Sequence, residues 1–175
     1  MTLDRLKTPI GEAILGFDPE GRLRVLNWQD SEARMMRQLG SQYGNRVTVG
    51  AGRGPKATLQ ALKEYFDGDV TAIDAIECES IGTEFQRSVW AALRTIPAGQ
   101  TLSYGALATK LGTPRAVRAV GRANGTNPIS LVVPCHRVIG ADGSLTGYGG
   151  GLDRKRWLLN HEGAKFVDRD TPTLW

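Results

Sequence analysis

The stretch Ser103–Gly125, SYGALATKLGTPRAVRAVGRANG, decides the fold. Ser103 suits a helix N-cap, because its hydroxyl can accept an orphan N–H of the first turn. Leu107, Ala108 and Leu111 then fall on one buried stripe, and Gly112 ends it. A second helix is expected at once: Thr113 caps it and Pro114, with fixed φ and no N–H, fits the first helical position. Two short helices joined by a turn of about three residues have helix-turn-helix spacing.

The second helix, PRAVRAVGRANG, sets Arg115, Arg118 and Arg122 at i, i+3 and i+7, with Ala116, Ala119 and Gly121 between them. Small side chains let a helix approach a nucleic-acid groove closely while arginines reach phosphates or the base stack. A solvated basic face is the plain alternative.

Upstream, Thr83 and Gln86 form a capping-box pattern, and Phe85, Val89, Ala92, Leu93 and Ile96 mark the apolar face of a helix that Pro97-Ala98-Gly99 ends. Nearer the N-terminus, TPIGEAILGF and RLRVLNW flank the turn Asp18-Pro19-Glu20-Gly21 and read as a hairpin. ATLQALKEYF places Leu59, Leu62, Tyr65 and Phe66 at helical spacing; Asp67-Gly68-Asp69 stops it before a short extended run around Ile73 and Ile76. The first part of the chain is therefore small and α/β, and Cys78 within it is read as a structural or surface thiol.

The 175 residues, 41% of them hydrophobic, suffice for one ordinary core or two small lobes. No window approaches the roughly 18 consecutive apolar residues of a membrane span, and MTLDRLKTPIG has no apolar signal core, so a cytoplasmic protein without membrane contact is expected. Cys78 and Cys135 are the two cysteines, and a reducing cytosol favours free thiols. Residues 1–82 carry net charge −2 and residues 83–175 net +6, so the basic half is the one with the helix pair.

Downstream lies NPISLVVPCHRVIGADGS, Asn127–Ser144. Ile129, Leu131, Val132 and Val133 read as a buried strand or extended segment ending at Pro134, which disfavours helix at Val133 and fixes where Cys135 emerges. His136 is the nearest candidate base for a Cys135 thiolate, although successive residues of an extended segment point to opposite sides. Asp142-Gly143 is a hairpin turn folding VIGA back on SLTG, and Tyr148-Gly149-Gly150-Gly151 is nearly bare backbone, fit for close approach to a planar ligand or a phosphate. A short helix in DRKRWLLNHEG has Trp157, Leu158 and the stem of His161 for packing and ends at Glu162, which either orients an imidazole or is an exposed helix end.

PCHRV with its preceding NP, the RAVG helix, SYG, the GY-GG loop and the final HEG together resemble the O6-alkylguanine-DNA alkyltransferases, in particular the bacterial Ogt type. The motifs span residues 83 to 163. The resemblance implies an α/β N-terminal domain of ribonuclease-H-like fold over 1–80, a mostly helical DNA-binding and catalytic domain with a winged-helix-like helix-turn-helix over 83–163, and a tail over 164–175. The additional zinc-cysteine domain of the Ada proteins is not expected.

The implied activity is DNA repair by irreversible, single-use transfer of the alkyl group of O6-alkylguanine, and of O4-alkylthymine, from duplex DNA to Cys135 after base flipping. By the resemblance Glu162 polarises His136, which deprotonates Cys135 through a water, while Asn127 braces the turn carrying the cysteine. Tyr104 donates a proton to the departing base. Arg118 fills the base stack; Arg115, Ala116, Ala119, Gly121 and Arg122 face DNA; Tyr148, Gly149, Gly150, Val138 and Pro134 line the alkylguanine pocket. No cofactor is implied, and the partner is double-stranded DNA, bound by a monomer with cooperativity left open.

Arg122 stands where members often have a small or apolar residue, Val117 is bulkier than the alanine of some, and residues 164–175 match no family motif. Two rival classes are a non-catalytic lesion-binding relative, in which the cysteine is replaced, and a turnover cysteine hydrolase, which needs a hydrolysable thioester. Two cysteines and two widely separated histidines do not make a zinc site.

Overall fold

The computed structural model describes residues 1–44 and 47–169. Strand β1 (Thr2–Thr8) turns at Pro9-Ile10 into β2 (Gly11–Phe17), and β2 pairs antiparallel with both β1 and β3 (Leu23–Trp28). TPIGEAILGF is therefore not one segment: it straddles the β1–β2 turn, where Thr8 Oγ1 donates to Gly11 O (2.5 Å). The expected turn at Asp18–Gly21 does connect β2 to β3, with Gly21 at φ +83° and Asp18 carboxylate oxygens accepting from Arg22 N and Nε (2.8 and 2.9 Å). Strand β4 (Gly50–Ala51) adds parallel to β1, giving the order β3-β2-β1-β4.

Alternation along β2 sends Ala13, Leu15 and Phe17 to the main core and Ile14 to the other face, where Val25, Met35 and Leu39 meet it. Met35 and Leu39 belong to α1 (Glu32–Tyr43), a helix the sequence reading missed although they lie four residues apart. Helix α2 (Lys56–Phe66) buries Leu62 and Tyr65 as its spacing predicts. The extended run expected around Ile73 and Ile76 is instead a 3-10 helix, Ala72–Ala75. Asp69 starts it, accepting from Thr71 N and Oγ1 (3.2 and 2.8 Å), and a three-residue repeat buries both isoleucines.

Helix α3 (Glu84–Leu93) opens with both bonds of the capping box between Thr83 and Gln86. Helix α4 (Tyr104–Lys110) is capped by Ser103 Oγ, which accepts from Ala106 N at 3.0 Å. Helix α5 begins later than expected, at Val117, and runs to Gly125. Thr113 is used to close α4, its N–H and hydroxyl both reaching Ala108 O (2.9 and 3.5 Å), so Thr113–Ala116 form a turn and Arg115 precedes the helix. Strands β5 (Leu102–Ser103) and β6 (Val138–Ile139) pair in parallel, and α6 spans Leu152–His161.

The fold is thus mixed α/β, and one continuous core joins the sheet face to α2, α3, α4, α5 and α6. No described helix is long and apolar enough to cross a membrane.

Candidate active site and DNA-facing groove

Residues Asn127–Pro134 are not a strand. Leu26 of β3 donates to Pro128 O (3.0 Å) and accepts from Ser130 N (2.9 Å), a single bridge to the sheet edge. The chain then turns, with Leu131 at φ +71° and Val133 N donating to Ile129 O at 3.0 Å. A run buried on every side suits a turn as well as a strand, and the Asn127 side chain settles which. Its Nδ2 donates to Val133 O (2.8 Å) and its Oδ1 accepts from Ile129 N (3.0 Å), replacing a strand ladder by local bonds.

Cys135 therefore opens a 3-10 helix, Cys135–Arg137, rather than ending a strand. At about three residues per turn, Cys135 and His136 project in different directions. The fully buried His136 ring puts Nε2 2.9 Å from Glu162 Oε1. Glu162 is the C-cap of α6, and its carboxylate is wholly buried, not an exposed helix end. Arg137 adds Nε to Oε2 (3.0 Å) and Nη2 to Oε1 (2.8 Å), and Tyr65 of α2 donates its hydroxyl to Oε1 at 2.7 Å. Burial opposes the charge of Glu162, but His136 and Arg137 outweigh it and hold the carboxyl well below the usual carboxylate range.

An ionised carboxylate requires the donor at His136 Nε2, so Nδ1 carries the lone pair; this buried nitrogen takes no hydrogen bond from the described residues. Burial pushes His136 down and the Cys135 thiol up, so the resting pair is neutral imidazole and thiol. Against that, the Asn127 amide and the Lys155 ammonium favour the thiolate. Lys155, fully buried in α6, donates Nζ to Val138 O (2.6 Å) and Thr146 O (2.8 Å), and burial brings it down to about 8. These bonds hold VIGA near SLTG where the expected hairpin makes two turn bonds, Gly140 N to Ser144 O and Gly143 N to Gly140 O (both 2.9 Å). Ser144 bridges instead to Val167, so part of the 164–175 segment packs here, while residues 170–175 lie outside the described residues.

The recess over Cys135 is lined by Asn127, Ser130, Gly147, Tyr148 and Gly149 and has a volume of about 20 Å³, room for a water. It opens onto a groove of about 510 Å³ bounded by Tyr104, Val117, Arg118, Gly121, Thr146 and Tyr148. Arg118 and Arg122 are exposed on α5, and Tyr104, whose hydroxyl accepts from Thr146 Oγ1 at 3.2 Å, is kept protonated by burial. Arg115, Ala116, Ala119 and Arg122 do not border the groove.

Pro134, Val138 and Gly150 do not line the recess either. Gly150 serves the core: a Cβ there would stand 2.7 Å from the Trp28 ring. Tyr65, Arg137, Lys155 and Arg34 were missed by the sequence reading. Arg34 of α1 lines both recess and groove and donates Nη2 to Gly125 O (2.9 Å), while Gln38 donates to Thr126 O (2.7 Å), so α1 grips the end of α5. Tyr65 was placed only as a core residue of ATLQALKEYF, while Arg137 and Lys155 stood inside PCHRV and DRKRW. Cys78 sits half-buried 2.6 Å from Arg94 Nη1, apart from this site. Among the described residues no cluster of three metal-ligating side chains occurs.

Residues 84–164 match the family described as 6-O-methylguanine DNA methyltransferase, DNA binding domain. A methylated-DNA–protein-cysteine methyltransferase of Salmonella typhimurium is 48% identical over 91% of this chain and 94% of its own. One from Methanosarcina acetivorans is 42% identical over 90% and 96%. The crystal structure of Mycobacterium tuberculosis OGT in complex with DNA is similar at TM-score 0.77 and 40% identity, covering 93% of each chain.

Proposed function

This chain belongs to the methylated-DNA–protein-cysteine methyltransferases, and we propose that it repairs duplex DNA by moving the alkyl group of O6-alkylguanine, and of O4-alkylthymine, onto Cys135. The observation that carries the reading is the buried His136–Glu162 pair directly after Cys135: a thiol on a braced turn, followed by an imidazole whose Nε2 is held by a carboxylate and whose Nδ1 has no partner among the described residues. Through a bridging water Nδ1 removes the thiol proton, and Glu162 stabilises the imidazolium. The Cys135 sulfur then bonds to the alkyl carbon as its bond to O6 breaks, and the electron pair leaves with guanine. Tyr104 donates its proton to the base as charge develops. A thioether is neither hydrolysed nor exchanged, so each molecule acts once.

A recess of about 20 Å³ is far below the roughly 300 Å³ or more of typical ligand sites, so Tyr148 and Gly149 move aside to admit the base. The base is flipped out of the duplex, at a cost of a few kcal/mol that Arg118 in the vacated stack and phosphate contacts from Arg115 and Arg122 offset. Asn127 keeps the sulfur in place. The ribonuclease-H-like first part, the winged-helix-like second part with a boundary near residues 81–83, action as a monomer and residence in the cytoplasm belong to the same reading. Incubation with duplex DNA carrying O6-methylguanine should add one methyl, about 14 Da, to the intact protein, mapped to Cys135. Alkylation elsewhere, or none, overturns the reading.

A further inference from the structure

Tyr65 lies in the first part of the chain, 97 positions before Glu162, yet its hydroxyl reaches the oxygen of Glu162 that faces His136. The ring is fully buried and held from several sides. Phe66 and His161 meet it edge-on at 5.2 and 5.1 Å, and His161 Nε2 donates to Tyr65 O at 2.6 Å. So exact a placement is not needed for packing alone, since phenylalanine would fill the same volume. What the hydroxyl adds is a third donor on Oε1, beside His136 Nε2 (2.9 Å) and Arg137 Nη2 (2.8 Å).

We propose that Tyr65 is a positioning residue of the alkyl-transfer relay, through which the first part of the chain sets the Glu162–His136 hydrogen bond. This rests on the reading of Glu162 and His136 as a relay. Without the hydroxyl, Arg137, which holds both carboxylate oxygens, is free to draw the carboxylate toward itself and away from the imidazole. The charged and titratable groups near the pair include Arg137 on the same 3-10 helix, Lys155 and His161 of α6, Tyr148 and Tyr65 itself. Tyr65 stays protonated, since burial and the neighbouring carboxylate both oppose its ionisation.

Tyr65→Phe removes the hydroxyl and leaves no new unpaired group, because Oε1 keeps two donors. With free O6-benzylguanine, its maximal single-turnover rate should fall roughly threefold to tenfold at an unchanged half-saturating concentration. The His136 Nε2–H proton resonance at neutral pH should shift. With only two histidines in the chain, that signal is easily assigned. Site-specific 3-fluorotyrosine at 65 restores a hydroxyl that is a stronger donor; its rate should stay within about twofold of wild type, and the resonance should move opposite to that of Tyr65→Phe.

An unmoved resonance in either protein overturns the proposal, as does a fluorotyrosine protein as slow as the phenylalanine variant, which would assign Tyr65 to packing. The resonance is read without substrate. A wild-type protein that transfers no alkyl group would instead defeat the proposed function, whatever Tyr65 does.

Discussion

In Glu162→Gln, the Arg137 guanidinium, 2% exposed, loses the carboxylate that now accepts its Nε and Nη2 at 3.0 and 2.8 Å. Its remaining partner among the described residues is Ile96 O, which accepts from Nη1 at 2.6 Å and carries no charge. Removing one member of a buried ion pair costs about 3–5 kcal/mol, because the other charge stays buried and uncompensated. The glutamine oxygen can still accept at its two lone pairs, each bond worth about 1 kcal/mol, but it carries no charge and the NH2 is set against an N–H or O–H donor. The substitution should therefore cost about 3 kcal/mol, a substantial part of the roughly 5–15 kcal/mol that holds a typical domain folded. Glutamine is thus no neutral probe of the relay here, contrary to what its shape suggests.

Urea unfolding at pH 7 measures this, with the midpoint falling and the slope unchanged. Because the folded carboxyl sits below its usual range, its contribution is complete above the ordinary carboxylate value, about 4.3, and is lost as pH falls through the folded value. The gap between wild type and variant should therefore be constant from pH 6 to pH 8 and narrow only in strong acid. A loss below about 1 kcal/mol at pH 7 would falsify the claim that Glu162 neutralises Arg137.

Lys155→Met removes a cation that favours the Cys135 thiolate, so alkyl transfer to the free base should slow about tenfold at pH 7 and recover toward pH 9; a pH-independent deficit would assign Lys155 to loop support alone. His136 is held neutral by burial, so the unfolded chain takes up a proton below about pH 6.5 that the folded chain refuses; stability should fall by up to about 1.4 kcal/mol per pH unit there, and a flat curve between pH 6.5 and pH 5 would contradict it. Arg118→Ala should reduce repair of duplex DNA by more than about tenfold while sparing free O6-benzylguanine, which needs no flipping; equal losses would place Arg118 in the pocket or the fold.

Signals that are local were legible. The Thr83 and Gln86 box, the Ser103 cap and the Asp18–Gly21 turn rest on residues close in sequence, and each structure follows its residues. Failures arose where a distant or competing bond decided. Thr113 could cap forward or close α4 backward, and it closes α4. Asn127 turned an apolar run that looks like a strand into a braced loop. In the site, Cys135, His136 and Glu162 stood inside quoted motifs, but Tyr65 and Arg34 reach it from α2 and α1 by long-range folding that no periodicity encodes. Gly150 also packs against Trp28, which its place in a bare loop does not reveal, since such a residue looks the same whether a ligand or a buried tryptophan needs the space.

The central claim is that Cys135 is consumed by the lesion it repairs. Titrating duplex DNA that carries O6-methylguanine with increasing protein, and counting methyl groups remaining, measures this directly. The loss should be linear at one lesion per protein molecule, with an endpoint that longer incubation does not move, and Cys135→Ser should remove none. Continued loss of lesions beyond one equivalent of protein would contradict it and make Cys135 a turnover nucleophile.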